Sequence, residues 1–448
     1  MRLKAFIISV LFLSATSLYA EDPPDFLEVD TTTYGYYSRK QWTELIEAGN
    51  KYLKDGFDYY FLRMRIGVAH YELQNYIRAA DHFKRALQFN EGDSIAITCL
   101  YYAYLELNRR DAADRVLGML PPEEARKLRS GRVGFIDMVY LETGPLITSG
   151  KSDNSRMNLD GTDDIYGEID HLIRNSYYNG LGLVAKLTPF ARLQLSYMDL
   201  FQGRTAQVMA GDSLILDQDH SLQQHQFYIS PSLRFGKGFS LTPAFHYLDI
   251  TYDQLHVQYA QETKNYLFDM DTVHQSDYLA SLCVNKDLSL VSLTLTGTYA
   301  RLNLFDHYQA EIALTYYPKG NLDFYSQTVG RYVHGRENHF LFAETAGLKI
   351  SRGLWMEVSA TFGEVAEFFE KNGYIVYNLP EDILFKWGLQ AYYQISDQLL
   401  VSMKYENLYR ESMFLQYDYE ENSGQYIPVY KPFTYHQHYI IGSIKWNL

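Results

Sequence analysis

The chain has 448 residues, room for two domains. Aromatic residues make up 16%, with 41 tyrosines, and mean hydropathy is −0.27, which excludes a bundle of long apolar helices. A formal charge of −14 argues against nucleic-acid binding through phosphate neutralisation, and two cysteines, Cys99 and Cys283, build neither a disulfide framework nor a zinc site.

The first element is apolar. Arg2 and Lys4 precede the run Ala5 to Leu18, and Leu18-Tyr19-Ala20 offers a cleavage point before Glu21. The run is short for a membrane-spanning helix and reads as a secretory signal over residues 1–20. No Cys near the cleavage point signals a lipid anchor. Residues 21–38, with Pro23-Pro24 and the Thr31-Thr32-Thr33 run, read as an extended leader.

Helical periodicity begins near Arg39, with Trp42, Leu45, Ile46, Gly49 and Leu53 on one face. Ile66-Gly67, Tyr76, Ala79, Phe83 and Ala86-Leu87 then fall at the spacings of a tetratricopeptide repeat. Its small residues let two helices approach, and Phe83 fills the space between them. His70 and Glu91 depart from the consensus. A looser copy follows at Leu100, Tyr104, Ala113 and Leu117, capped by Pro121-Pro122. Residues 39–130 are thus expected to form an α-helical domain of two or three such repeats. First-helix side chains of these repeats line a concave groove, here Phe61, Met64, Val68, Tyr71, Thr98, Tyr102 and Leu105. The groove suits a partner segment, or is filled by the chain's own leader or packs on the barrel.

From Gly134 the period changes from 3.6 to 2. About fourteen segments of ten to fifteen residues alternate in polarity, from Phe135–Glu142 to Thr434–Leu448, an even number as in bacterial outer-membrane barrels. Tight connections follow even-numbered segments: Thr188-Pro189, Gly236-Lys237-Gly238, Lys286-Asp287, Pro318-Lys319-Gly320, Ser351-Arg352-Gly353 and Ser396-Asp397. Long ones follow odd-numbered segments, at residues 143–173, 204–223, 253–276, 368–382 and 410–433, while two odd-numbered connections, near Asn303 to Asp306 and His334 to Asn338, are short. Residues 131–448 therefore read as a transmembrane antiparallel β-barrel with short periplasmic turns and long external loops. Phe385, Trp387 and Leu389 oppose Lys386, Gly388 and Gln390. Pro231 and Pro243 are expected to mark bulges.

The inward face so deduced carries Lys186, Arg192, Arg234, Lys349, Lys386, Lys404 and Lys445 against Asp249, Glu311, Glu344, Glu357 and Glu406. Mixed signs suit a polar conduit or a neutralised, plugged interior. His274 with Ser276, or His220 with Ser221, are the serine–histidine pairs nearest the external rim, and chance juxtaposition is the better account of both. His436 and His438 share one face of the last segment and lack further metal ligands. Acidic residues between Asp153 and Asp164 lack calcium-loop spacing. The sequence calls for no cofactor and no metal, and no enzyme is expected.

The last segment resembles the C-terminal recognition strand of bacterial outer-membrane barrels, with Trp446 two residues from the end. Together, the Ile66–Leu87 repeat and the alternating segments resemble outer-membrane proteins that join periplasmic tetratricopeptide repeats to a C-terminal barrel. These include exporters of polysaccharides such as cellulose and small YaiO-like barrels. The resemblance implies an outer-membrane location with the N-terminal domain in the periplasm. It also implies contacts with outer-membrane lipid, the barrel assembly machinery and a periplasmic protein partner. The function expected is a channel or export component for polysaccharide with a docking module. The alternatives are a non-conducting scaffold and a lipid-modifying barrel enzyme.

Overall fold

The computed structural model describes residues 25–128, 134–149, 166–210, 213–260, 265–420 and 425–448. The expected signal segment and the acidic loop from Asp153 to Asp164 lie outside these residues. The chain divides into two compact units.

The N-terminal unit is helical. Its helices, with the two short ones that follow in sequence, are α1 (Phe26–Ser38), α2 (Trp42–Lys54), α3 (Tyr60–Glu72), α4 (Tyr76–Phe89), α5 (Ser94–Glu106), α6 (Arg110–Leu117) and α7 (Pro122–Leu128). Side-chain caps start three of them: Asp25 accepts from Glu28 N at 2.7 Å, Asn75 from Arg78 N at 3.2 Å, and Asp93 from Ala96 N at 2.7 Å. The expected extended leader is therefore corrected: it folds as α1. Asp30 on that helix accepts from Arg65 Nη1 at 2.8 Å and from Tyr59 Oη at 3.1 Å, tying α1 to α3 and the residue before it. Between α3 and α4 the small-residue argument holds in space. A Cβ on Gly67 would lie 2.6 Å from the Phe83 ring, and Phe83 is 1% exposed. None of the described helices is long and apolar enough to cross a membrane.

The second unit is a closed antiparallel barrel of fourteen strands. In chain order these are β1 (Ile136–Ser149), β2 (Tyr166–Thr188), β3 (Ala191–Ala210), β4 (Ser213–Arg234), β5 (Phe239–Ala260), β6 (Asn265–Leu288) and β7 (Val291–Leu302). There follow β8 (Phe305–Tyr316), β9 (Phe324–His334), β10 (Asn338–Ser351) and β11 (Leu354–Val365). Two short strands, β12 (Phe368–Glu370) and β13 (Ile375–Tyr377), form a separate two-stranded hairpin. The wall resumes with β14 (Asp382–Gln394), β15 (Leu399–Glu420) and β16 (Gln425–Asn447). Closure is by β1 on β16, with Met138 opposite Asn447 and Val139 opposite Trp446. The barrel therefore begins and ends at the same rim, the one carrying the tight turns.

At the opposite rim the expected long loops are corrected. Residues 204–223, 253–276 and 410–433 are mostly strand, running on as hairpins far beyond the wall. There β15 and β2 pair directly, Gln416 with Gly167. The two prolines make no bulge either. They fall opposite one another in the β4–β5 ladder, which keeps its register from Ile229↔Phe245 to Leu233↔Leu241 and lacks pairs between. Proline has no N–H to donate. The Ser230 hydroxyl donates instead to the Pro243 carbonyl at 2.9 Å.

Alternation sorts the two faces. Outside stand Leu181 (55% exposed), Ile312 (54%), Val358 (54%), Ile444 (50%) and Trp446 (49%), apolar residues contributed by strands all round the wall. Inside, Gln226, Tyr228, His246, Gln309 and Lys386 are buried.

Candidate functional site

The lumen is occupied. Between β11 and β14 the chain turns inward, and the β12–β13 hairpin crosses the barrel from the rim of long hairpins. Phe368 and Tyr377 stack at 4.5 Å. They pack on Val333, Leu341, Val365, Ile383 and Leu408 of the surrounding wall. Phe369 packs on Leu279, Ala300 and Leu302. Phe368 and Phe369 are fully or almost fully buried. Burying a side chain of this size is worth roughly 1.5–3 kcal/mol.

Side chains of the wall, rather than a strand ladder, satisfy much of the hairpin's backbone. The Gln309 amide donates to Phe369 O at 2.9 Å and accepts from Phe369 N at 3.0 Å. At the tip, His246 Nδ1 bonds Gly373 O at 2.8 Å, and Ser281 Oγ donates to Asn372 O at 2.9 Å. Asn372 Nδ2 donates to Thr242 O at 3.0 Å. The turn needs three consecutive positive φ angles, 52° at Lys371, 58° at Asn372 and 77° at Gly373. At Gly373 an added Cβ would lie 2.4 Å from Leu279 Cδ1. Glycine suits that position on both counts.

A buried charge network holds the hairpin's base. Glu370 meets Lys386 Nζ and lies 3.7 Å from Arg331 Nη1. Arg331 Nε bonds Glu311 at 2.6 Å, Lys386 lies 3.5 Å from Glu406, and Glu406 bonds Lys404 at 2.8 Å. Lys386 also donates to Tyr377 Oη at 2.8 Å. Three cations thus face three carboxylates across the hairpin, the pairing that buried charge requires.

Beside the hairpin remains a cavity of about 430 Å³. Its lining includes Glu142, Tyr178, Gln202, Gln224, Tyr374, Tyr392, Lys404 and Lys445, with Leu146, Met198, Leu222, Ile250 and Val376 between them. Amides, phenols and charges of both signs alternate with apolar patches.

The structure places the other sequence-derived residues as follows. Lys186 and Arg192 sit opposite one another near the tight-turn rim, and Arg192 Nη2 is 3.0 Å from Asp137. Arg234 ends β4 at that rim. Glu357 accepts from Tyr325 and, at 2.9 Å, from Tyr392. Of the groove residues, Phe61 (61%) and Tyr102 (42%) are exposed, Met64 is buried, and Val68, Tyr71, Thr98 and Leu105 are half-buried.

The two serine–histidine pairs are not brought together. His220 and Ser221 are neighbours in β4 and point to opposite faces. His274 bonds Thr251 at 3.0 Å, and Ser276 bonds Tyr247 at 2.8 Å. Among the described residues no cluster of three or more His, Cys, Asp or Glu could hold a metal. Both cysteines are free. The sequence reading missed the hairpin. Its signal was there: Phe368-Phe369 and Tyr374 to Tyr377 are too apolar for a solvated loop.

No family model matches the chain, and no curated protein does. Among solved structures it is similar to the Pseudomonas putida toluene transporter TodX, at 8% identity and a TM-score of 0.46, over 70% of this chain and 91% of that one. A Pseudomonas aeruginosa FadL homologue matches at 8% identity and 0.44, over 69% and 90%. MamA matches at 18% identity and 0.21, over 24% of this chain and 60% of that one.

Proposed function

We propose that the chain is an outer-membrane transport barrel for small solutes, closed at rest by its own hairpin. An apolar band on the outer face, with tight turns at one rim and long hairpins at the other, supports the membrane setting. The reading puts the tight-turn rim, where the barrel starts and ends, in the periplasm with the N-terminal domain. The observation that carries the function is the β12–β13 hairpin. Side chains hold it across the lumen and no strand ladder joins it to the wall, so it can leave without breaking the barrel. The mixed lining of the cavity fits a small polar or amphipathic solute. Polymer export needs the whole bore and fits the anchored hairpin poorly. In this reading the tetratricopeptide-like helices offer Phe61 and Tyr102 to a periplasmic protein partner.

Liposome swelling with sugars of increasing size tests the reading. Wild type should admit little. Lys386→Met removes the cation between Glu370 and Glu406, leaving them only Arg331 and Lys404, and should speed swelling severalfold for the smallest sugars, because breaking a buried ion pair costs about 3–5 kcal/mol. Equal swelling for both proteins would favour the non-conducting scaffold.

A further inference from the structure

A second site lies on the outer wall, away from the lumen. β1, β15 and β16 meet there near the rim of long hairpins, and their outward side chains form one hydrogen-bonded line. Ser149 Oγ is 2.7 Å from His438 Nε2. Asn407 Nδ2 lies 3.2 Å from His438 Nδ1, and Asn407 Oδ1 lies 3.2 Å from His436 Nδ1. Tyr405 Oη is 2.8 Å from His438 Nδ1. His436 stacks on Tyr409 at 4.8 Å. Asn407 is 6% exposed, His436 is exposed, and Ser149 and His438 are half-buried.

We infer that Ser149, His438 and Asn407 form a serine-hydrolase site that cleaves acyl esters of membrane lipids at the barrel's outer surface. The line can run in either direction, since turning an amide exchanges its Oδ1 and Nδ2. In the productive direction, Ser149 Oγ–H donates to His438 Nε2. With the amide turned, His438 Nδ1–H is shared between Tyr405 Oη and Asn407 Oδ1, and Asn407 Nδ2–H donates to His436 Nδ1. Each member then orients the next, as a nucleophile, its base and the base's positioning group require. His436 keeps its Nε2–H, which serves the carbonyl oxygen as charge develops there.

The surroundings name the substrate class. Trp387, Tyr405 and Tyr409 form an aromatic patch, with Trp387 and Tyr405 5.2 Å apart, of the kind that marks the boundary of a bilayer. Next to it, toward the tight-turn rim, Ile147 (40% exposed), Met403 (61%) and Ile444 (50%) offer a bed for an acyl chain. An ester at the glycerol or sugar level of a lipid therefore reaches Ser149 while its chain stays in the bilayer.

The reaction balances with water as the only co-reactant. Ser149 Oγ attacks the ester carbonyl carbon and passes its proton to His438. The tetrahedral intermediate collapses, the bond to the lipid alcohol breaks, and the alcohol leaves with the proton from His438. Water then attacks the acyl-serine, again losing a proton to His438, and free fatty acid departs as Ser149 regains its proton.

The full chain, folded into vesicles of phosphatidylethanolamine and phosphatidylglycerol or into vesicles containing lipid A, provides the test. Fatty-acid release is followed by mass spectrometry, and a fluorophosphonate probe reports the activated serine. Release from one vesicle type or the other identifies the lipid, and the probe should label Ser149 in wild type. Ser149→Ala and His438→Gln should lose label and at least ~10³-fold of the release rate. Asn407→Ala should slow both labelling and release, and Asn407→Asp, which keeps an acceptor for His438 Nδ1–H, should recover part of the loss. A wild-type protein that neither labels nor releases fatty acid from either vesicle overturns the site. So does Ser149→Ala with label or release intact.

Discussion

At the scale of single residues, the helical unit carries a pH-sensitive pair. His70 and His82 stack at 5.5 Å between α3 and α4. Burial, reinforced by the Arg78 charge, holds His70 down to about 4. Burial, then His70 and Arg63, hold His82 down to about 3. Both folded values lie below the unfolded value near 6.5, so the unfolded chain binds more protons between them. Stability is therefore fully present above about pH 6.5 and is lost as pH falls toward 4 and 3. The helical circular-dichroism signal should melt at progressively lower temperature from pH 7 to pH 4, and the double variant His70→Gln, His82→Gln should flatten that dependence. An unchanged slope in the variant would place the sensitivity elsewhere.

At the scale of elements, legibility in the sequence followed contrast between the two faces of a strand. Trp387 against Lys386, or Ile312 against Glu311, announces a wall with different surroundings on its two sides, and all fourteen wall strands were legible. The strand extensions were not. From Glu411 to Glu420, or Asn265 to Gln275, polar residues stand on both faces, so the pattern fades though the ladder continues. Ser149 was missed for that reason, because β1 was expected to end at Glu142. Its partner His438 lies 289 residues away in sequence, a juxtaposition only barrel closure creates. The hairpin was missed because its strands, Phe368–Glu370 and Ile375–Tyr377, are too short to show a period. Its turn offers a local test. Gly373→Val meets Leu279 and an unfavourable φ together, a strain of about 1–3 kcal/mol. Limited proteolysis should then cut between Lys371 and Tyr374 several times faster than in wild type. Equal rates would show that the tip is not held by the wall.

At the scale of the whole molecule, the wall and the interior of the barrel belong to different parts of the chain. The wall encloses a lumen, and a segment of the same chain, the β12–β13 hairpin, lies across it. Several of the inward charges read from the sequence meet the hairpin, while Lys404 and Lys445 also border the cavity beside it. Lys386, Lys404, Glu311 and Glu406 face Arg331 and the hairpin's Glu370, so their mixed signs neutralise one another across a filled lumen. Such a network holds the hairpin in place, and in the proposed function it makes closure sensitive to the loss of any member. Whether closure is the hairpin's doing is decided by conductance across a planar bilayer, comparing wild type with a variant in which residues 368–377 are replaced by a short Gly-Ser link. Wild type should stay closed at modest voltage, and the variant, its barrel intact by heat-dependent gel mobility, should show steady open-channel steps. A variant as silent as wild type, or a wild type as open as the variant, would contradict the account.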